Sequence, residues 1–132
     1  MAEAFKFELV SPERLLVSEQ VEHVVIPGAE GEMTVLANHS LVMTTVKPGV
    51  VTVKSAGGSE ERYVVFGGFA DILPEGCTLL AESAVRVAEI DRDDLARRIQ
   101  EAREDAADAK SDEERTRAEA FLGQLATLQD AV

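Results

Sequence analysis

The apolar residues of this chain change their period once, near Glu89, and that change bounds what the chain can fold into. Before it, apolar and polar residues alternate over short runs separated by Pro and Gly, the pattern of strands and tight turns. After it, apolar residues recur every three to four positions, the pattern of helices. The expected fold is an all-β module over residues 1–88 followed by an α-helical tail over residues 89–132. No internal repeat, low-complexity segment or long linker interrupts it.

In the first part, Phe5, Phe7 and Leu9 alternate with Lys6 and Glu8, which predicts a strand with one buried face. Val21 to Ile26 is a second strand, stopped by Pro27-Gly28. Met33 to Leu36 and Leu41 to Val46 follow. Lys47-Pro48-Gly49 reads as a turn, because Pro fixes φ and Gly supplies positive φ. Val50 to Lys54 and Arg62 to Phe66 flank Gly57-Gly58, a hairpin signal. Phe69 to Leu73 and Cys77 to Ala81 flank Pro74-Glu75-Gly76, another. Val85-Arg86-Val87 is a last short strand. Many short strands at this spacing favour a sandwich or flattened barrel. Aromatics are only 5% of the chain, so its core must be built from Val, Leu, Ile and Ala.

In the tail, Asp91 is placed to cap a helix, with Asp93 and Asp94 in its first turn. Leu95, Ile99, Ala102, Ala106 and Ala109 share one stripe. Lys110-Ser111-Asp112 breaks the period. Ser111 with Glu114 is a capping box that starts a second helix, whose stripe is Ala118, Phe121, Leu122, Leu125 and Leu128. So short a connection predicts an antiparallel αα-hairpin. Each buried methyl contributes about 0.8 kcal/mol, so the alanine seam holds less than a leucine seam would. Weak docking of the hairpin on the β module is the expectation.

The net charge of −12 repels phosphate backbones and anionic lipid, so nucleic acid and direct membrane binding are not expected. Residues 1–88 carry 12 acids and 6 bases, residues 89–132 carry 13 and 7. The tail thus has the same net charge on half the length, as a solvated helical surface would. A single cysteine forms no internal disulfide. The alternating start does not read as a signal peptide. The longest uncharged stretch, Met33 to Val46, falls short of the roughly 20 residues that span a bilayer. Membrane association must run through a partner.

Enzyme chemistry has little to stand on. His23 and His39 are the only histidines, and no His-x-His or Cys-x-x-Cys accompanies them, so no metal is expected. His23 reads as a half-exposed strand residue, His39 as a turn histidine or a contact residue. Asn38-His39-Ser40 matches the glycosylation triplet by coincidence, and Ser40 lacks a nucleophile elbow. Cys77, in an apolar strand, reads as a buried inert thiol. The Gly pairs read as turns and close strand packing, not as phosphate loops. Glu30-Gly31-Glu32 is an acidic tip, either solvated or meeting a basic loop on a partner; acid–base catalysis would need a third group and a pocket. No catalytic residue and no cofactor are expected.

Val25-Ile26-Pro27-Gly28-Ala29-Glu30-Gly31-Glu32-Met33-Thr34-Val35-Leu36 resembles the opening module of the epsilon subunits of F-type ATP synthases. The likeness continues through Leu9-Val10-Ser11-Pro12-Glu13, His39, Val46-Lys47-Pro48-Gly49-Val50, Gly67-Gly68-Phe69-Ala70-Asp71-Ile72 and Thr78 to Ala84. It spans residues 5–90 in order, and the acidic hairpin completes the layout. The resemblance implies a ten-stranded flattened β-sandwich followed by two helices. It also implies a non-catalytic rotor subunit in the central stalk of a proton-driven ATP synthase, peripheral on the cytoplasmic face of the inner membrane. Its partners would be the gamma subunit and the c-ring, and through the hairpin the alpha/beta catalytic hexamer.

By the same resemblance, Glu30, Glu32 and His39 match positions at the c-ring, and Ser11, His39 and Thr44 match positions that face gamma. Acidic side chains there can form charge-assisted bonds to basic loops. The family often has Gly-His-Ala-Pro where this chain has Asn38-His39-Ser40-Leu41, which implies a looser turn.

Some members bind ATP through Ile/Leu-Asp-x-x-Arg-Ala at the start of the first helix. Ile90 and Asp91 match, but Asp94 and Leu95 replace the arginine and the alanine. Asp93 and Asp94 repel phosphate, although Arg97 and Arg98 stand near, so this degenerate motif is expected to hold ATP poorly. From Asp112 on there are five acids against Arg115 and Arg117, too few cations for a strong inhibitor of ATP hydrolysis. A free nucleotide-sensing regulator is the alternative reading. A cupin-like enzyme using His23, Glu32 and His39 around a metal is a third.

Overall fold

The computed structural model describes residues 3–132, and the chain divides after Val87 into two compact units. The first holds seven strands: β1 Phe5–Val10, β2 Leu15–Gly28, β3 Gly31–Val35, β4 Val42–Ser55, β5 Glu60–Leu73, β6 Gly76–Ala81 and β7 Ala84–Arg86. They hydrogen-bond in the order β1-β6-β5-β4-β2-β3, and β1 also pairs with β2. Five strands therefore form a closed ring. β3 extends it beyond β2, and β7 beyond β5.

Closure depends on β1. Its alternation sends Phe5, Phe7 and Leu9 into the core, at 4%, 0% and 0% exposure. One edge pairs antiparallel with β2 and the other parallel with β6. Val, Leu and Ile fill most of the interior around these residues, as a composition poor in aromatics requires.

Ten strands are expected and seven are present, in part because two Pro- or Gly-marked segments, in β4 and β5, are bends inside a strand instead of strand ends. β4 runs unbroken through Lys47-Pro48-Gly49, and its pairing with β5 holds one register from Val42↔Ile72 to Lys54↔Glu60. Pro48 has no N–H to donate, and it sits where the other ladder of β4 is interrupted. Between Val25↔Thr52 and Gly28↔Val46, β4 advances six residues while β2 advances three. β5 runs through Gly67-Gly68 at φ 108° and 144°. β2 ends at Gly28, at the stop expected from Pro27-Gly28. The expected hairpins at Gly57-Gly58 and Pro74-Glu75-Gly76 are present.

The second unit is a pair of helices, α1 Arg92–Ala107 and α2 Asp112–Ala131, after a single 3-10 turn at Val87–Glu89. They pack on each other, and Arg92 Nη1 donates to the Val132 carbonyl at 2.9 Å. The start of α1 thus meets the end of α2, as an antiparallel hairpin requires. Leu95, Ile99, Ala102, Leu125 and Leu128 are buried. Phe121, expected in the apolar stripe, is 43% exposed. Asp91 and Ser111 cap the helices as expected. The capping box differs by one residue: Glu114 accepts from the N–H of Lys110 at 3.1 Å instead of from its own cap, Ser111.

Candidate functional site

Two features of the β module stand out, a groove at one end and an apolar row on its outer face. β2 and β3 form a hairpin closed by the pair Gly28↔Gly31, with Ala29-Glu30 at its tip. The tip is fixed by the Ala29 N–H, which donates to the Thr45 carbonyl at 2.9 Å. Gly31, at φ 136°, has the backbone freedom to re-enter the strand. This hairpin and the start of β4 enclose an open groove of about 570 Å³ lined by Gly28 to Met33 and Val42 to Thr45. Glu30, Glu32 and Thr44 therefore share one groove. Both glutamates are exposed, and Met33 and Met43 give the groove an apolar side.

His39 and Ser11 do not line this groove. His39 is half-buried in the segment between β3 and β4, with Nδ1 2.8 Å from the Ser40 carbonyl oxygen. The preceding Asn38 has φ 62°, which asparagine tolerates better than most residues. Its N–H donates to the Pro74 carbonyl at 3.0 Å, and its Nδ2 donates to Glu3 at 3.0 Å. The turn expected to be loose without its proline is held by these two bonds. Ser11 opens the turn between β1 and β2, its N–H donating to the Arg14 carbonyl at 2.9 Å.

The apolar row went unseen in the sequence. Register places Thr45 beside Phe69, Phe69 beside Leu80, Leu80 beside Val10 and Val10 beside Leu15, across five neighbouring strands. Phe69, Leu80 and Leu15 are 56%, 53% and 54% exposed, and Met43 nearby is 73% exposed. Neighbouring Ala70, Ile72 and Leu79 point inward, so Phe69 and Leu80 are large apolar residues on the outward phase. That phase is the signal that could have found them. Exposed apolar residues set side by side are a feature of interaction sites in general. In sequence, Thr44 precedes Thr45 at one end of the row and Ser11 follows Val10 within it.

Cys77 is buried, and burial, with Asp71 nearby as the lesser cause, pushes its thiol up to about 12. It is no nucleophile at neutral pH. Among the described residues, no three His, Cys, Asp or Glu side chains gather as a metal site would need, and His23, Glu32 and His39 are not brought together.

In the tail, the degenerate motif is used to build the helix. Asp91 Oδ1 accepts from the N–H groups of Asp93 and Asp94 at 2.9 and 3.1 Å. Asp94 in turn accepts from Arg98 at 3.1 Å and from Arg97, and these bonds hold its carboxyl below the usual carboxylate range. Leu95 is buried, and Ile90 is half-buried before the cap.

The chain is thus a closed β module with an exposed apolar row on its outer face, followed by a capped helical pair. A profile described as the ATP synthase delta/epsilon chain beta-sandwich domain matches residues 4–87. The chain is 79% identical to the ATP synthase epsilon chain of Mesorhizobium japonicum and 66% identical to that of Chelativorans sp. Each match covers all of this chain and 98% of the relative. A chain in the cryo-EM structure of the Euglena gracilis mitochondrial ATP synthase (OSCP/F1/c-ring) is 29% identical. That match has a TM-score of 0.76 and covers 97% of this chain and 81% of that one. A chain in the central stalk/c-ring structure from Tetrahymena thermophila, 11% identical with a TM-score of 0.54 over 71% of each chain, shares the fold. This chain belongs to the ATP synthase delta/epsilon chain family, and its full-length relatives are epsilon chains.

Proposed function

We propose that the chain is a non-catalytic rotor subunit of a proton-driven ATP synthase, joining the gamma subunit to the c-ring in the central stalk. The observation that carries this reading is the apolar row through Phe69, Leu80, Val10 and Leu15, with Ser11 next to Val10 in sequence. It is the face for gamma. Glu30 and Glu32, exposed on the groove with Thr44, take the polar loops of the c-ring, and His39 stands at the junction. Cutting β4 and β5 at their bends turns seven strands into nine segments, one short of the ten of the flattened sandwich. In this reading residues 1–88 bind the rotor partners, and residues 89–132 are a tail that inhibits ATP hydrolysis weakly or not at all. No helix among the described residues is long and apolar enough to cross a membrane. The subunit sits peripherally at the cytoplasmic face of the inner membrane, held by its partners.

The test is a pull-down of the tagged chain from solubilised membranes. Gamma and c-ring are expected to come with it, and recovery of the chain without gamma would sink the reading. A free nucleotide sensor is weighed against by Asp94, which engages both Arg97 and Arg98. Saturable micromolar ATP binding by the isolated chain would restore that alternative.

A further inference from the structure

Helix α2 is continuous from Asp112 to Ala131, yet its two halves are held differently. Leu125 and Leu128 in the second half are buried. From Asp112 to Phe121 only Ala118 is even half-buried. The facing half of α1 is similar: after Ala102, Ala106 alone is half-buried within that helix. The tip of the hairpin rests on local polar contacts. Ser111 Oγ accepts from the Glu114 N–H at 3.1 Å, Arg115 pairs with Asp112 at 3.2 Å, and Thr116 Oγ1 donates to the Asp112 carbonyl at 2.9 Å. All are exposed, and exposed pairs hold little. A helical segment shorter than about 12 residues is marginal in water without a packed face.

Gly123 stands between the two halves. It is exposed, and a Cβ built on it would meet no atom within 4 Å beyond its chain neighbours and the backbone of its own helix turn. Its φ is not positive, so neither packing nor backbone conformation calls for glycine there. In a helix interior glycine is the weakest former after proline. The Gly123 carbonyl also accepts from Thr127 Oγ1 at 3.0 Å, a side-chain bond of the kind that bends helices. We infer that Gly123 is a joint in α2. The segment before it frays and bends as a unit while the half holding Leu125 and Leu128 stays packed. The tip can then reorganise without the hairpin coming apart.

Hydrogen exchange on the full chain, resolved by residue, tests this. Amides of residues 116–122 are expected to exchange at least threefold faster than those of residues 125–128. Gly123→Ala should slow the first set about fivefold, the usual gain of alanine over glycine in a helix, and change the second less than twofold. The inference is overturned if the two sets exchange within threefold of each other in the natural sequence. It is equally overturned if Gly123→Ala slows neither set, or both alike.

Discussion

Gly49 lies directly against Pro27: a Cβ built on Gly49 would sit 2.7 Å from Cβ and 3.0 Å from Cγ of the proline. The contact joins the bend of β4 to the end of β2. Neither side is the loose end of a flexible side chain. Gly49→Ala must therefore push two paired strands apart, an overpacking of about 1–3 kcal/mol. A lower denaturant midpoint with unchanged slope is expected. Gly57→Ala is the control, since the nearest atom there is Ser55 Oγ at 3.7 Å. It should stay within about 0.5 kcal/mol of the natural protein.

The Cys77 thiol is pushed up to about 12 by burial, so the folded state resists losing that proton and the unfolded state does not. A raised folded value means the contribution is complete below the unfolded thiol value of roughly 8.5. It is then lost as pH rises toward about 12. Denaturation between pH 8 and 11 should show stability falling more steeply in the natural protein than in Cys77→Ala. Maleimide should label Cys77 only after unfolding.

Phe69 and Leu80 are more than half exposed, so changing them should spare the fold. Phe69→Ser or Leu80→Ser should shift the melting temperature little and weaken binding to gamma by about 2 kcal/mol, the scale of an interface hot spot. Glu32→Gln should leave gamma binding alone and loosen the c-ring contact. Binding measured by titration calorimetry with gamma separates the two faces. Equal loss from both substitutions would contradict the assignment.

Asp94 is held ionised by Arg98 and Arg97. A lowered carboxylate value gives stability that is present above the ordinary value of about 4 and is lost as pH falls through the depressed one. The carboxylate is only half-buried and solvent screens it, so Asp94→Asn should cost only about 0.5 kcal/mol at pH 7. The difference between variant and natural protein in hairpin melting should vanish in strong acid. Leu95→Ala, at a buried position, should cost about 2–5 kcal/mol at either pH.

The β module was legible wherever alternation was strict, as in Phe5, Phe7 and Leu9. Its bends were not. Lys47-Pro48-Gly49 has the residues of a turn, and only the register with β5 makes it the middle of a strand. The first half of β2 also escaped notice, because in Ser18-Glu19-Gln20 every side chain is exposed or half-buried and no alternation announces a strand. Pairing with β1 supplies what the local pattern lacks. Both helix caps were readable because their bonds are local. The groove was half readable: Glu30 and Glu32 announced an acidic tip, but Thr44 joins it only through tertiary pairing of distant segments. The apolar row is invisible until five strands are laid side by side.

Lys6 pairs in parallel with Gly76, 70 positions further along the chain (76 − 6). During synthesis β1 is made first, yet one of its edges stays open until β6 has been made. Pairings of such long separation are slow to form, because the loop between them must be ordered before the contact repays it. The growing chain therefore passes through a stage with an unpaired β1 edge, the kind of edge on which chains associate. Lys6 and Glu8 place charge on that strand and oppose such association. Removing these charges should lower the yield of soluble protein from a cell while leaving the stability of the finished fold almost unchanged.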